Sequence, residues 1–186
     1  MGHNVAWGRA HLRSIDVTAI GCASVSDAQT ISSLILRYAK HTSQARYQNK
    51  TLVSTFAGDN CAFGQGSTAA GWNYVRSLVR AGGREMYLIP AIFVDTNQFS
   101  SMTWFDGAFN WDSAWPVGSA GSAPLTTASD ETWISRLGSR GCMASVSPLF
   151  FTYYGPQSWN KDWIYVSRLV VVCQTVIAET SDRTTG

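Results

Sequence analysis

Strand-like and helix-like segments alternate from Ser14 to Ser147, and that alternation limits the fold more than any other feature of the chain. Ser26-Asp27 can cap a helix whose apolar positions Ile31, Leu34, Ile35 and Tyr38 recur at three- and four-residue steps. Asn49-Lys50 turns into the β-rich run Thr51 to Phe56, closed by Ala57-Gly58. After a loop with Cys61, a second helix runs from Ala69 to Arg80 and stops at Gly82-Gly83. The next strand begins at Met86 and continues past Pro90 to Asp95, and Asp106 to Trp111 reads as a short strand. Ser129-Asp130-Glu131 opens a third helix that ends by Gly138. Cys142 to Ser147 is a further strand, and Pro148 to Trp163 reads as a long aromatic loop.

Near-continuous apolar strands that alternate with helices predict a parallel sheet covered by helices. The strands end on polar or functional-looking residues, namely Asp16, Asp95, Asn110 with Trp111, and Ser147. In β/α barrels the active site is built from such carboxyl ends. A dinucleotide-binding sheet wants a Gly-rich turn after its first strand, and no GxGxxG is present. The predicted fold is α/β: a partial β/α (TIM-type) barrel with about five parallel strands, as one domain over residues 1–186.

Charge and hydropathy exclude several partners. Charged residues are only 14% of the chain, against about 25% in an ordinary domain. A net charge of +2, with Arg and Lys scattered, gives no footprint for nucleic acid. The longest apolar run, Leu169 to Ala178, is broken by Gln174 and Thr175, so no membrane partner is expected. Met1 to Asp16 has no apolar core of the kind a signal peptide needs. The four cysteines, at 22, 61, 142 and 173, lack the close pairing of a zinc site. By spacing alone they fit buried reduced thiols or a disulfide. Asn49-Lys50-Thr51 is a glycosylation sequon, a triplet that also arises by chance.

Several chemistries lack their residues. There is no GxSxG elbow, and the three histidines (His3, His11, His41) lie away from strand ends. Cys142 and Cys173 have no histidine downstream, and Gly64-Gln65-Gly66-Ser67 has no lysine for a phosphate loop. What remains is carboxylates among tryptophans. Asp95, Asp106, Asp112 and Asp162 stand near Trp104, Trp111, Trp115, Trp159 and Trp163. Flat rings beside carboxylates suit sugars, and glycoside cleavage uses two carboxyl groups. The plainer alternative is that these tryptophans fill the core.

Three blocks then carry a resemblance. They are Ser14-Ile15-Asp16-Val17-Thr18 with Arg46 to Gly64 (RYQNKTLVSTFAGDNCAFG), Tyr87 to Asp95 (YLIPAIFVD) with Asp106 to Pro116 (DGAFNWDSAWP), and Met143 to Tyr165 (MASVSPLFFTYYGPQSWNKDWIY). In order, content and spacing the chain resembles glycoside hydrolase family 71, the fungal α-1,3-glucanases or mutanases, over residues 14–165. The resemblance implies a secreted or cell-wall β/α-barrel enzyme of the glucan endo-1,3-α-glucosidase type, with α-1,3-glucan as its polysaccharide partner. It implies no metal or organic cofactor. It marks Asp16 as a catalytic or subsite carboxylate, and Asn110, Trp111, Trp115, Tyr154 and Trp159 as sugar contacts. Asp95 is a further strand-end candidate for the substrate site. Cys22 and Cys61 match positions of a family cysteine pair, whereas Cys142 and Cys173 stay with the free-thiol reading.

The chain also departs from the family. Family members continue to a WNDYGES-like strand whose Asp and Glu are the best candidates for the hydrolytic pair. Here residues 166–186 form a divergent tail in which Glu179 and Asp182 stand in reversed order. Truncation relative to the family, with weak or no activity, is therefore expected. The alternative is a non-catalytic α-glucan-binding remnant.

Overall fold

The computed structural model describes residues 14–111, 128–144, 149–152 and 161–164. The first strand, β1 (Ser14–Asp16), runs into a single-turn helix α1 (Val17–Ile20), with Asp16 as its N-cap. Helix α2 (Val25–Ala39) follows. Its cap is Ser24, two residues before the Ser26-Asp27 expected from sequence. Ser24 Oγ accepts the Asp27 amide, and the Asp27 carboxylate accepts the Ser24 amide at 2.8 Å, a reciprocal capping box. Ala28, Ile31, Ser32, Ile35 and Ala39 then line its buried face.

Next come a two-residue strand β2 (Arg46–Tyr47), strand β3 (Lys50–Phe56) and helix α3 (Thr68–Ala81). Strand β4 (Met86–Ala91) stops four residues before Asp95, so the expected continuation to Asp95 is not strand. The chain instead enters a 3-10 helix (Thr96–Ser101) capped by Asp95. Strand β5 (Gly107–Asn110), helix α4 (Ala128–Leu137) and strand β6 (Gly141–Ala144) complete the pattern.

The sheet order is β1-β3-β4-β5-β6, and each adjacent pair is parallel. The five strands expected to be parallel neighbours therefore are. A doubly wound sheet reverses its strand order part-way, whereas this order never reverses. Right-handed crossovers in one direction put every helix on one face, which is the winding of a barrel. The described strands do not close, and β1 and β6 are its edges. The result is an open α/β sheet with barrel-type winding. β2 pairs antiparallel with β3 through the Gln48-Asn49 turn, an addition that the sequence did not announce.

Burial separates the two faces. Ile15, Val53, Leu88, Ala108 and Cys142 pack with the helices in one core. Trp72 lies at its centre, stacked on Trp104 with centroids 5.8 Å apart, and its Nε1 donates to Gly58 O at 2.9 Å. Trp104 thus fills core, and the packing alternative holds for that residue. The opposite face carries Leu52, Tyr87 and Ile89, with Phe109 and Met143 packed on them. There Tyr87 Oη accepts the Gly141 amide at 3.2 Å, and a Cβ at Gly141 would come within 2.8 Å of that oxygen. Only glycine allows the approach.

Two further expectations are corrected. The segment read as an aromatic loop contains an antiparallel pair, β7 (Leu149–Thr152) with β8 (Lys161–Ile164), in a separate two-stranded sheet. Aromatic and β-branched residues dense enough to pair were masked there by the intervening Tyr-Gly-Pro stretch. Cys142 is not a free thiol: it is disulfide-bonded. Cys173 lies outside the described residues.

Candidate active site

Asp16 closes β1 on the face away from the helices, because its neighbour Ile15 points into the helix-side core. In register with it across the sheet lie Phe56, Ala91, Phe109 and Met143, the carboxyl-end row of four further strands. This is the rim on which a β/α barrel carries its chemistry.

The Asp16 carboxylate is exposed, and one of its oxygens does all the structural work. Oδ1 accepts from the Thr18 hydroxyl at 2.6 Å, the Thr18 amide at 2.9 Å and the Ala19 amide at 3.3 Å. The Thr18 hydroxyl bond, with the two amides, holds its pKa below the ordinary carboxylate value. Oδ2 takes no hydrogen bond from a described residue. A carboxylate held ionised with one free oxygen suits a base or a charge stabiliser, because a proton donor needs the opposite shift.

Beside it stands an aromatic rim. Phe56 contacts Phe93 and Trp111 edge-on, each with centroids 5.2 Å apart, and Trp111 also meets Phe109 at 5.3 Å. Phe93 is 59% and Trp111 45% exposed, the two most exposed large apolar rings among the described residues. Exposed rings held by neighbours offer rigid apolar faces at little entropic cost. Phe56 and Phe93 were not singled out in the sequence. Their signal was parity: both share the face of Asp16, at or just beyond the end of a strand.

The remaining candidates separate. Asn110 is 3% exposed and lies on the helix side, where its amide donates to Asp130 Oδ1 at 2.8 Å and ties β5 to the start of α4. Asp95 is exposed and its Oδ1 accepts from the Asn97 amide and Nδ2, both at 2.9 Å. Asp106 pairs with Arg76 at 2.7 Å and accepts the Leu88 amide at 2.7 Å, so it fastens α3 and β4 to the start of β5. Trp115, Tyr154 and Trp159 lie outside the described residues.

The loops that follow β1 and β3 are stapled. Cys22 and Cys61 form a disulfide with Cα atoms 5.0 Å apart, and the Phe63 amide donates to Cys22 O at 2.8 Å. A cavity of about 290 Å³ lies beside β1, walled by Ile20, Leu34, Ile35 and Tyr38 of the helices and by Leu52. Asp16 touches it, but its apolar wall suits packed chain rather than sugar hydroxyls, so the rim is the better site.

The profile of Glycosyl hydrolase family 71 matches residues 10–175. The chain belongs to this family. It is 28% identical over 146 residues to a glucan endo-1,3-alpha-glucosidase of Schizosaccharomyces pombe, covering 77% of this chain and 34% of the relative. An ascus wall endo-1,3-alpha-glucanase of the same yeast is 28% identical over 74% of this chain and 32% of its own length. A Penicillium rubens mutanase is 29% identical over 75% of this chain and 28% of its own. The chain spans about a third of the length of these relatives. No solved structure matches it. As a family 71 chain it carries the fold of a glycosyl hydrolase, and among its described residues no helix is long and apolar enough to cross a membrane.

Proposed function

We propose that this family 71 chain bears part of the active site of a hydrolase of the glucan endo-1,3-α-glucosidase type, acting outside the cell or in the wall on fungal α-1,3-glucan. The observation that carries the reading is the register of Asp16 with Phe56 on the carboxyl rim, next to the exposed rings of Phe93 and Trp111. Substrate lies across those rings, with Trp115, Tyr154 and Trp159 contributing further contacts. Asn110 acts through α4 as a positioning residue, and Asp95 serves the middle of the rim, beyond the end of β4. The names of the relatives support the substrate class, and the Cys22–Cys61 bridge supports an oxidising compartment.

In the inverting mechanism that the resemblance implies, a protonated carboxyl donates to the leaving oxygen and a carboxylate activates water about 6.5–9.5 Å away. Asp16, held ionised, takes the base role. The family's Asp/Glu motif is missing from residues 166–186, so the donor is not supplied in its usual place. Losing positioned proton transfer costs about 10²–10⁴-fold in rate. The 186-residue chain therefore holds glucan and cleaves it poorly. The test is reducing-sugar release from α-1,3-glucan, beside an Asp16→Asn control. Release near background in both supports the reading. Robust release that disappears in the control contradicts the missing-donor half and shows that a second carboxyl of this chain completes the pair.

A further inference from the structure

The chain contains one Asn-X-Ser/Thr triplet, Asn49-Lys50-Thr51, and the glucan rim does not use it. The fold puts Asn49 at the tip of the β2–β3 hairpin. Gln48 and Asn49 are its two loop residues, with φ of 49° and 60°, the turn that matches the twist of paired strands. Asn49 is exposed, and its side-chain amide makes no hydrogen bond to a described residue. Thr51 is the reverse. It is 2% exposed, and its Oγ1 is buried without a hydrogen-bond partner among the described residues.

A buried hydroxyl without a partner works against the folded state, and valine has the same branched shape without it. The fold thus gives no reason for a hydroxyl at position 51. Glycan transfer gives one, because the acceptor triplet requires Ser or Thr two residues after Asn. The Cys22–Cys61 disulfide points to the oxidising compartment in which such transfer occurs.

We propose that Asn49 is an N-glycosylation acceptor and that Thr51 is retained for transfer rather than for the fold. The amide nitrogen of Asn49 bonds to the anomeric carbon of an oligosaccharide carried on a lipid pyrophosphate. The carbon–oxygen bond to the pyrophosphate breaks, and one amide proton is released with that leaving group. Transfer onto the nascent chain precedes the burial of Thr51. The glycan stands just before the amino-terminal end of β3, seven residues or about 23 Å from Phe56, and leaves the aromatic rim open.

The experiment directs the full 186-residue chain into the secretory pathway of yeast behind a cleavable signal peptide. Treatment with peptide N-glycosidase is expected to remove one glycan and leave aspartate at position 49 in the mapped peptide. Asn49→Asp, which tolerates the left-handed turn, and Thr51→Val abolish the modification, while Thr51→Ser keeps it. Made in a bacterium that lacks the transferase, Thr51→Val has a thermal midpoint equal to or above that of the parent. Two results overturn the proposal: chain recovered with Cys22 and Cys61 bridged and Asn49 unmodified, or a Thr51→Val midpoint clearly below the parent's.

Discussion

Asp16 and Phe56 are register partners at the carboxyl ends of two parallel strands, so the only acid in the rim row sits directly beside the ring that supports Trp111. The pairing of Asp16 with Phe56 is thus fixed by strand hydrogen bonding, while Phe93 and Trp111 lie just beyond the strand ends and pack on Phe56.

In the proposed reading, that placement casts Trp111 as an anchor for sugar. Trp111→Ala removes a half-exposed ring and two edge contacts but no core packing. Affinity for α-1,3-glucan is expected to fall about tenfold, equivalent to roughly 1.4 kcal/mol. The thermal midpoint should shift little, since edge contacts of this kind contribute about 0.5–1.5 kcal/mol. Binding isotherms and thermal melts on the same preparations check both halves.

The Cys22–Cys61 bridge spans a sequence separation of 39 residues. Closing a loop of that size in the unfolded chain stabilises the fold by about 4 kcal/mol in the chain-entropy account. The double change Cys22→Ser, Cys61→Ser should lower the denaturant midpoint accordingly. Reductant should move the parent protein toward the same value and leave the variant's contribution from this loop unchanged.

Asp106 joins three elements through one carboxylate, which pairs with Arg76 and accepts the Leu88 amide. Asp106→Ala leaves a strand amide without its acceptor and strips a largely buried guanidinium of its carboxylate partner, leaving it only the Met86 and Trp104 carbonyls. An expected loss of about 2–3 kcal/mol follows from the cost of hydrogen bonds to charged groups. Urea unfolding measures it, with Asp106→Asn retaining part of the loss because one amide acceptor remains.

Asp27 reports the pH response of the helix caps. The Ser24 amide, then the Ser24 hydroxyl, lower its pKa from the ordinary 3.8. A depressed folded pKa stabilises fully above the unfolded value and is lost as pH falls through the folded one. Asp27→Asn should therefore destabilise at neutral pH, and its difference from the parent should shrink well below pH 3.8. Urea midpoints at the two pH values give the comparison.

Much of this architecture was legible because buried parallel strands are continuous apolar runs and the helices carry clear periodicity, as in Ile31, Leu34, Ile35 and Tyr38. The helix start at Ser24 was placed two residues late because Ser26-Asp27 looks like a cap of equal quality. Side-chain direction was harder to read. A shift of one residue in a strand's end moves each side chain to the opposite face. Asn110 and Trp111 are neighbours in sequence, yet the first is buried against α4 and the second stands on the rim. For the same reason Phe56 was not singled out as a rim residue. Strands as short as β2, with two residues, have no periodicity to detect.

The central claim is a sugar site on the carboxyl rim, and co-sedimentation with insoluble α-1,3-glucan tests it most directly. The account predicts that the folded 186-residue chain pellets with α-1,3-glucan and not with β-1,3-glucan, and that Trp111→Ala and Phe93→Ala each shift it into the supernatant while circular dichroism stays unchanged. Equal pelleting of parent and both variants, or no pelleting of the folded parent, would contradict it.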